Sequence, residues 1–410
     1  MAEPKVSALS VAEARARILA DVAPVSVERV AIGTVAGDAA PRVLALPRAA
    51  TLTQPPFDAS AMDGYAVRRA DVAALPASLT VIGEAAAGSG FGGHVGPGEA
   101  VRIFTGAPLP DGADAIIIQE DTARDGERVI VRSGSPEQGH IRTRGFDFCE
   151  GDALLAAGRR LTARDITLAA AMGHGALPLY RRPRVALIAT GNELVMPGTA
   201  PGADQIVCSN PFGIAQMVVR AGGAAEIMPI ARDDRAELAT RIRQAAGADV
   251  IVTIGGASVG DHDLVGPVLS AQGMALDFWK IAMRPGKPLM FGRLGAQRVL
   301  GLPGNPVSSL ICARVFLVPL IDALLGASRA DDGIVAATAD VAIEANGQRA
   351  HYMRATSRQA ADGRRLVRPV SSQDSSLLAP LAAADCLIIR PVGAPALAAG
   401  GEVAVLPLDF

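Results

Sequence analysis

Four short runs of almost continuous apolar residues occupy the middle of the chain. They alternate with segments whose apolar side chains recur every three to four residues, the spacing of a helix with one buried face. The predicted strands are 184–189, 225–229, 249–254 and 276–281, and the predicted helices are 211–221, 235–246, 263–272 and 307–325. Apolar strands that alternate with helices are typical of a doubly wound, mostly parallel α/β sheet.

Shorter strands and turns flank this central region. Apolar runs separated by Gly, Pro and Asp predict an all-β-rich part before it and a small β domain after it. The runs are 79–82, 115–118 and 129–131 on one side, and 334–341, 366–370, 386–390 and 402–406 on the other. Two further helices are predicted at 7–21, with Ser10 as the N-cap, and at 161–173, with Thr162 as the cap.

Composition limits the number and kind of domains. A chain of 410 residues exceeds the usual size of one hydrophobic core, so about two to four domains are expected. Half of the residues are apolar and only 3% are aromatic, which predicts cores packed mainly by Ala, Val, Leu and Ile. Gly and Pro are frequent but fall between periodic segments, which argues against disorder.

Charge and cysteine spacing exclude several classes of protein. The formal net charge is −2, so the chain has no overall basic field to attract nucleic acid or anionic lipid. Cys149, Cys208, Cys312 and Cys386 are far apart and show no CxxC spacing. Neither a disulfide framework nor a structural zinc site is therefore indicated.

No secretory or membrane-spanning segment is predicted. The first 20 residues carry interspersed charges and lack the apolar core of a signal peptide. The most apolar stretch, 311–325, is interrupted by Arg314, Pro319 and Asp322, which disfavours a bilayer span. We therefore expect a cytoplasmic protein with neither membrane nor nucleic-acid partners.

Polar and glycine-rich segments follow the predicted strands of the central sheet, where ligands of open parallel sheets bind. The segments are 190–194, 232–234, 253–263, 280–288 and 302–308. Each has an ordinary structural interpretation: Gly255-Gly256 as a turn, Asp233-Asp234 as a helix cap, the lysines as solvated surface residues. Because all five fall at one edge of one predicted sheet, their coincidence favours a ligand site there.

The charged residues at this edge form a basic and an acidic set. They are Lys280, Arg284 and Lys287, and Glu193, Asp233 and Asp263. The basic set, the glycines and the helix N-termini suit an oxyanion together with phosphate groups. The acidic set would repel such an anion unless a cation intervenes, which favours Mg²⁺. The alternative is that the carboxylates handle protons or position a displaced group.

Common catalytic and nucleotide motifs are not found. The sequence has no P-loop, no G-x-G-x-x-G after a strand and no nucleophile elbow. Conventional kinases, dinucleotide dehydrogenases and serine or cysteine hydrolases are therefore disfavoured. His262 is the only histidine among the sheet-edge segments and is interpreted as a surface residue.

Five motifs occur in order along nearly the whole chain. They are SAMDGYA at 60–66, RIFTGAPLP at 102–110, TGNEL at 190–194, RPGKP at 284–288 and GLPGNPVS at 301–308. Together they resemble the molybdopterin molybdenumtransferases of the MoeA family, which includes the C-terminal enzymatic part of gephyrin. The set is highly specific, because chance agreement of all five is not credible.

The resemblance implies an elongated subunit of four parts that forms a homodimer. The parts are a helical linker domain (1–50 and 142–182), a β-rich domain (51–141), an α/β molybdopterin-binding domain (183–328) and a C-terminal β-barrel domain (329–410). The implied fold class is thus multidomain α/β plus β. In the family, the active cleft lies between the α/β domain of one subunit and the β domain of its partner.

The resemblance also assigns roles by position. The implied catalytic residues are Glu193, Asp233, Asp263, Lys280, Arg284, Asp63 and Asp147. The implied cofactor-binding residues are Thr105, Gly255, Gly256, Ser258, Lys287, Pro303, Gly304, Asn305, Pro306 and Ser375. Glu193, Asp233 and Asp263 are also the expected metal ligands, and Asp63, Thr105 and Asp147 would come from the partner subunit.

Three positions depart from the family pattern. Arg284 stands where several members carry lysine, and its planar fork suits bidentate oxyanion contacts. Asp147 follows Phe146, where an acidic residue often precedes the aspartate. Ser375 has Asp374 before it and Ala379-Pro380 after it, where Gly and Ser-Ser are usual.

The implied reaction is the last step of molybdenum cofactor biosynthesis. Molybdate is inserted into adenylylated molybdopterin, AMP is released and Mg²⁺ assists. The basic residues would hold molybdate and phosphate, and the carboxylates would bind Mg²⁺ near the pyrophosphate. A molybdopterin adenylyltransferase and molybdoenzymes are the expected protein partners. Two alternatives stay open: a tungstate-specific paralogue, and a non-catalytic cofactor-binding scaffold, which would need neither charge set.

Overall fold

A computed structural model describes residues 8–33, 41–134, 136, 139–256, 264–328, 333–408 and 410. In chain order, its first half contains α1 (Val11–Leu19), β1 (Val27–Ala31), β2 (Arg48–Ala49), β3 (Ala59–Ser60), β4 (Gly64–Val67), β5 (Ala77–Ala85), β6 (Glu99–Ile103), β7 (Ala115–Ile118), β8 (Thr122–Asp125), β9 (Arg128–Val131), β10 (Ile141–Arg142), β11 (Ala153–Leu155), α2 (Ala163–Ala171) and β12 (Ala176–Tyr180). Short 3₁₀ turns lie at Arg69–Val72 and Gln119–Asp121.

The second half carries the α/β region and the C-terminal strands. It contains β13 (Arg184–Ala189), β14 (Leu194–Val195), β15 (Ile206–Val207), α3 (Asn210–Arg220), β16 (Ala224–Ile227), α4 (Arg235–Gln244), β17 (Val250–Ile254), α5 (Val265–Ala271), β18 (Ala275–Phe278), β19 (Met283–Arg284), β20 (Met290–Leu294), β21 (Gln297–Leu302), α6 (Pro306–Cys312), α7 (Val318–Leu324), β22 (Val335–Ala339), β23 (Ala350–Gln359), β24 (Arg365–Pro369), α8 (Leu378–Ala382), β25 (Cys386–Arg390) and β26 (Glu402–Pro407). A 3₁₀ turn lies at Ala245–Gly247 and a π-helical segment at Ala313–Leu317.

The helices near the N-terminus begin where their capping residues predict. Ser10 caps α1 in a capping box, since its hydroxyl accepts from Glu13 N at 3.1 Å and its own N–H donates to Glu13 Oε2 at 2.8 Å. Thr162 and Asp165 form the same arrangement at α2. Both predicted caps are confirmed.

In the same part of the molecule, strands β1 and β12 pair antiparallel.

The β-rich part contains a six-stranded sheet of order β7-β4-β6-β5-β9-β8. Strands β4 and β6 run antiparallel, with Gly64 opposite Ile103. Asp63 directly precedes β4, and Thr105 follows β6 by two residues. The antiparallel register therefore brings these two residues to the same end of neighbouring strands.

The central sheet has the order β16-β13-β17-β21-β20-β18, and its first four strands are parallel. Strand β20 is antiparallel to β21 and to β18, so β18 again points the same way as β21. The predicted mostly parallel, doubly wound sheet is confirmed. Strand β18 ends earlier than predicted because the chain then leaves the sheet, and Leu9 N donates to Lys280 O at 3.3 Å.

The most apolar helix is a core helix. The α-helical, π-helical and second α-helical segments run continuously over Pro306–Leu324, which is long and apolar enough to cross a membrane by length and composition alone. Its apolar window is 94% buried inside the structure. Its acidic residue Asp322 is buried and paired with Arg160 at 2.7 Å. Burial on all sides explains the apolar composition without a bilayer.

The C-terminal strands close a small barrel. Strand β23 pairs with β24 on one side and with β25 on the other, which closes the ring β23-β24-β22-β26-β25. The two-residue strand β19 pairs in parallel with β23, with Arg284 opposite His351. The barrel and the overall class of α/β plus β are confirmed. Strand β23 was not predicted, because its buried positions include His351 and Arg354.

Candidate functional site

A cavity of about 720 Å³ opens at the carboxyl ends of the parallel strands. Four of the connections that leave this edge of the sheet contribute to its wall, as does the Cys208–Pro211 segment at the start of α3. The lining includes Thr190, Gly191, Glu193, Asp233, Gly255, Gly256, Pro303, Gly304, Asn305 and Pro306. The parallel topology thus gathers residues that lie far apart in sequence.

Glycines form the part of the wall where backbones approach each other closely. Gly255 has a φ of +94°, and a Cβ on it would lie 2.8 Å from the carbonyl oxygen of Thr190. A Cβ on Gly304 would meet the Cα of Gly255 at 3.6 Å. On Gly191, a Cβ would overlap the carboxylate of Glu193. A side chain at Gly255 would therefore displace the cavity wall and one at Gly191 would displace the Glu193 carboxylate, whereas one at Gly304 would make an ordinary contact.

Two helix N-termini face the cavity. Both α3 and α6 begin at an Asn-Pro pair and have no side-chain cap. Instead, Asn210 donates from Nδ2 to Gly304 O at 2.7 Å, and Asn305 donates from Nδ2 to Ser375 Oγ at 2.8 Å. Helix N-termini without side-chain caps favour phosphate or another anion through their dipoles and N–H groups.

Two carboxylates line the same cavity. Glu193 follows β13, and Asp233 is held by reciprocal bonds with Asn192: Asn192 N donates to Asp233 Oδ2 and Asp233 N donates to Asn192 Oδ1, both at 3.2 Å. The neighbouring Asp234 has a different task, because it caps α4 by accepting from Glu237 N at 2.8 Å. The helix-cap interpretation thus applies to Asp234, while Asp233 faces the cavity.

Two predicted site residues, Ser258 and Asp263, lie outside the described residues. Among the residues that the structure describes, no group of three or more His, Cys, Asp or Glu side chains could hold a metal ion. Glu193 and Asp233 nevertheless present hard oxygen donors to one cavity. Mg²⁺ is bound by one or two carboxylates together with water and substrate phosphates, so this pair fits it.

The predicted basic residues do not line the cavity. Lys280, Arg284 and Lys287 are exposed on the β18–β20 connection, which reaches the cavity wall only through Pro288. Arg284 instead lies beside the barrel. Burial and the charge of Arg284 lower the pKa of His351 to about 4.

Asp63 and Thr105 contact each other but lie outside the cavity lining. The backbone N–H and the hydroxyl of Thr105 both donate to Asp63 Oδ1 at 2.8 Å. These two bonds hold the pKa of Asp63 below its usual range. Asp147 is exposed on another turn, where its N–H donates to Gln54 O at 3.0 Å.

Several residues that line the cavity were not predicted from the sequence. Cys208, Ser209, Asn210 and Ser376 line the wall. Burial and the nearby Glu193 charge raise the pKa of the Cys208 thiol. One signal was present: the Asn-Pro pair that begins α3 repeats the Asn-Pro pair that begins α6. Ser376 reaches the wall only through a tertiary contact of the barrel.

A buried arginine holds the barrel loop that reaches the cavity. Arg354 is 1% exposed, and its guanidinium donates to the carbonyls of Leu377, Ser372 and Asp374 at 2.8–2.9 Å. The loop that it binds carries Ser375, which contacts Asn305, and Ser376. Arg354 therefore links the barrel core to the cavity rim.

Replacing this arginine should destabilise the protein. Arg354→Met keeps much of the volume but leaves three carbonyls without their donor, so we expect the free energy of unfolding to fall by about 3 kcal/mol. Urea denaturation measures it. Arg358→Gln is the matched control, because Arg358 lies on the same strand with a 61% exposed side chain and pairs with Asp340. Equal losses for the two variants would contradict the role given to Arg354.

Family models match three consecutive parts of the chain. Residues 9–173 match the MoeA N-terminal region (domain I and II), residues 186–323 match the probable molybdopterin binding domain, and residues 336–408 match the MoeA C-terminal region (domain IV). The three matches together cover most of the described chain.

Relatives agree in sequence and in structure. The chain is 35% identical over 379 residues to the molybdopterin molybdenumtransferase of Nostoc sp., covering 90% of this chain and 87% of the relative. It is 36% identical over 414 residues to that of Synechococcus elongatus, covering 98% and 100%. The crystal structure of the MoeA protein of Pyrococcus horikoshii superposes with a TM-score of 0.82 at 30% identity, covering 98% of this chain and 100% of that one. The chain belongs to the MoeA family.

Proposed function

We propose that this protein is a molybdopterin molybdenumtransferase, a transferase of molybdenum cofactor biosynthesis that inserts molybdate into adenylylated molybdopterin and releases AMP. The observation that carries the proposal is the cavity at the sheet edge, in which two helix N-termini without side-chain caps and two carboxylates meet. All of its lining residues except Ser376 lie within residues 186–323, which match the molybdopterin-binding model. Curated relatives of the chain are named molybdopterin molybdenumtransferase.

The cavity suits a phosphate-bearing pterin. The N-termini of α3 and α6 favour the phosphate oxygens, and Gly255 and Gly304 leave room for a close approach of the backbone. A cavity of about 720 Å³ is within the range of small-molecule sites. The phosphates would thus be oriented by backbone dipoles that need no rearrangement during the reaction.

Glu193 and Asp233 are the residues that would hold Mg²⁺, with Asp263 as the third predicted ligand. The ion would neutralise phosphate charge when bound. In the protein itself, Asn192 orients the Asp233 carboxylate, and Gly191 leaves the space that the Glu193 carboxylate occupies. Either carboxylate could alternatively accept a proton from an attacking oxygen.

Lys280, Arg284 and Lys287 are proposed to hold molybdate beside the cavity. They lie on the connection between β18 and β20, at the same edge of the sheet as the cavity, and Pro288 of that connection lines the wall. Positive charge at this edge would attract a tetrahedral oxyanion. The forked guanidinium of Arg284 can donate two parallel bonds to it.

We propose further that the working enzyme is a cytoplasmic homodimer with shared active sites. Asp63, Thr105 and Asp147 lie outside the cavity of their own subunit, so a partner would have to bring them to it. The backbone near Asp147 pairs with the 54–58 segment, and this region exposes Phe57 by 40% and Phe146 by 70%. Exposed apolar side chains of this kind favour burial against a second copy.

Release of AMP tests the function. Purified protein given adenylylated molybdopterin, molybdate and Mg²⁺ should form AMP and the active cofactor. Tight pterin binding without AMP formation would favour the scaffold alternative. Competition between molybdate and tungstate in the same assay separates the transferase from its tungstate-specific paralogue.

A further inference from the structure

Arg102 lies between two aromatic rings at the end of strand β6. Its guanidinium carbon is 5.2 Å from the centroid of the Tyr65 ring and 4.7 Å from the centroid of the Phe104 ring. Tyr65 is its direct cross-strand neighbour in the β4–β6 pair. Stacking on two rings restricts this long side chain and holds its planar head in one orientation.

The guanidinium fork binds the backbone next to Asp63. Nη1 of Arg102 donates to the carbonyl oxygen of Gly64 at 3.0 Å, and Nη2 donates to Gln119 Oε1 at 2.7 Å. Gln119 in turn donates its backbone N–H to the carbonyl of Asp63 at 3.0 Å. Arg102 is therefore linked to two consecutive carbonyl groups: it binds that of Gly64 directly and that of Asp63 through Gln119.

Among the residues that the structure describes, hydrogen bonds to the Asp63 carboxylate reach only one of its two oxygens. Thr105 makes both of its bonds to Oδ1. Rotation about this anchor is limited by the backbone of Asp63, which Gln119 and Arg102 hold. Loss of Arg102 would therefore let the carboxylate move even with both Thr105 bonds intact.

We propose that Arg102 is a positioning residue that keeps the Asp63 carboxylate in its working orientation through Gly64 and Gln119. The proposal rests on the proposed function, in which Asp63 serves the reaction. The hydrogen bonds described for the Arg102 guanidinium go to Gly64 and Gln119 of its own subunit, so Asp63 is the group through which it acts on the reaction. Removal of Arg102 should consequently change turnover more than substrate binding.

Two substitutions separate the charge of Arg102 from its geometry. Arg102→Gln removes both, and we expect kcat for AMP release to fall by about 100-fold with KM unchanged. Arg102→Lys keeps the charge but loses the fork, so kcat should fall by about tenfold. Arg124→Gln is the matched control, because Arg124 lies on the same sheet and its described side-chain hydrogen bond runs from Nε to the carbonyl of Gly126.

The acid limb of the pH–rate profile gives a second readout. The Thr105 bonds, and less strongly the Arg102 charge, lower the pKa of Asp63, so the native enzyme keeps this carboxylate ionised to lower pH. Glu120 and Asp121 are the other charged residues on the turn packed against β4. Arg102→Gln should move the acid limb to higher pH, Thr105→Val should move it further, and Arg102→Lys should leave it in place.

Hydrogen exchange of the intact protein tests the positioning without the reaction. The N–H groups of Thr105 and Gln119 both donate to Asp63, so peptides containing them should exchange faster in Arg102→Gln and not in Arg124→Gln. Unchanged exchange, or a raised KM with an unaltered kcat, would overturn the proposal. If the wild type releases no AMP, faster exchange still supports the positioning, and the failure belongs to the proposed function. Arg102→Lys provides the same comparisons if Arg102→Gln does not fold.

Discussion

Glu193→Gln should lower the rate of AMP release by about 1000-fold while the protein stays folded. The amide has the shape of the carboxylate but lacks its charge, so it can neither accept a proton nor balance a cation. Glu193 lines the cavity and its carboxylate packs against Gly191, so an isosteric side chain can occupy the same space. Single-turnover AMP release measures the effect, and the thermal midpoint should stay near that of the wild type.

Glu237→Gln provides the comparison for this effect. Glu237 lies on α4 in the same α/β region, and the partner described for its carboxylate is Arg241 at 3.3 Å. A partly exposed pair between neighbouring turns of a helix contributes about 0.5 kcal/mol, so neither activity nor stability should change appreciably. Equal activity of Glu193→Gln and Glu237→Gln would show that Glu193 takes no part in the reaction.

A heterodimer of two inactive variants should regain about half of the wild-type activity. One subunit carries Asp63→Ala and the other Glu193→Gln, each with a different affinity tag. If the site is shared, one cavity combines the intact Glu193 of the first subunit with the intact Asp63 of the second. The other cavity lacks both groups. Each homodimer should be inactive, because both of its cavities lack one group.

The matched control pairs two variants of the same half of the site. Asp63 and Thr105 contact each other within one subunit, so a heterodimer of Asp63→Ala and Thr105→Val leaves one defect in each cavity. This heterodimer should therefore regain much less activity than the heterodimer of Asp63→Ala and Glu193→Gln. A heterodimer of Asp63→Ala and Glu193→Gln that is no more active than its homodimers would place the whole site within one subunit.

The central sheet could be predicted because its strands are buried on both faces. Strand β17 is buried at every residue. A strand that is buried on both faces is apolar along its whole length, and this does not depend on which residues pack against it. The helix starts at Ser10 and Thr162 could be predicted for a similar reason, since capping depends on neighbours three residues away. Both features are local or depend only on burial.

Strand β23 could not be predicted, because it buries polar residues whose partners are distant in sequence. Arg354 is satisfied by a loop about 20 residues later, and His351 lies opposite Arg284. Neither partner can be read from the alternation of apolar and polar positions. The same limit applies to Asp233 and Asp234: both suit a helix cap, and only the approach of Asn192 shows which one faces the cavity.

The amino-acid sequence by itself determined the parallel sheet, the edge at which its glycines, carboxylates and helix N-termini gather, and the family resemblance. Those features follow from burial, helix capping and strand direction, which act over short stretches of chain. The tertiary structure alone decided that Glu193 and Asp233 face one cavity, that Lys280, Arg284 and Lys287 are not part of its lining, and that Arg102 binds the carbonyl of Gly64 next to Asp63. These arrangements depend on contacts between residues that are far apart in sequence. Each of these side chains could bond to several partners, and only the packing of the folded chain decides which partner it meets.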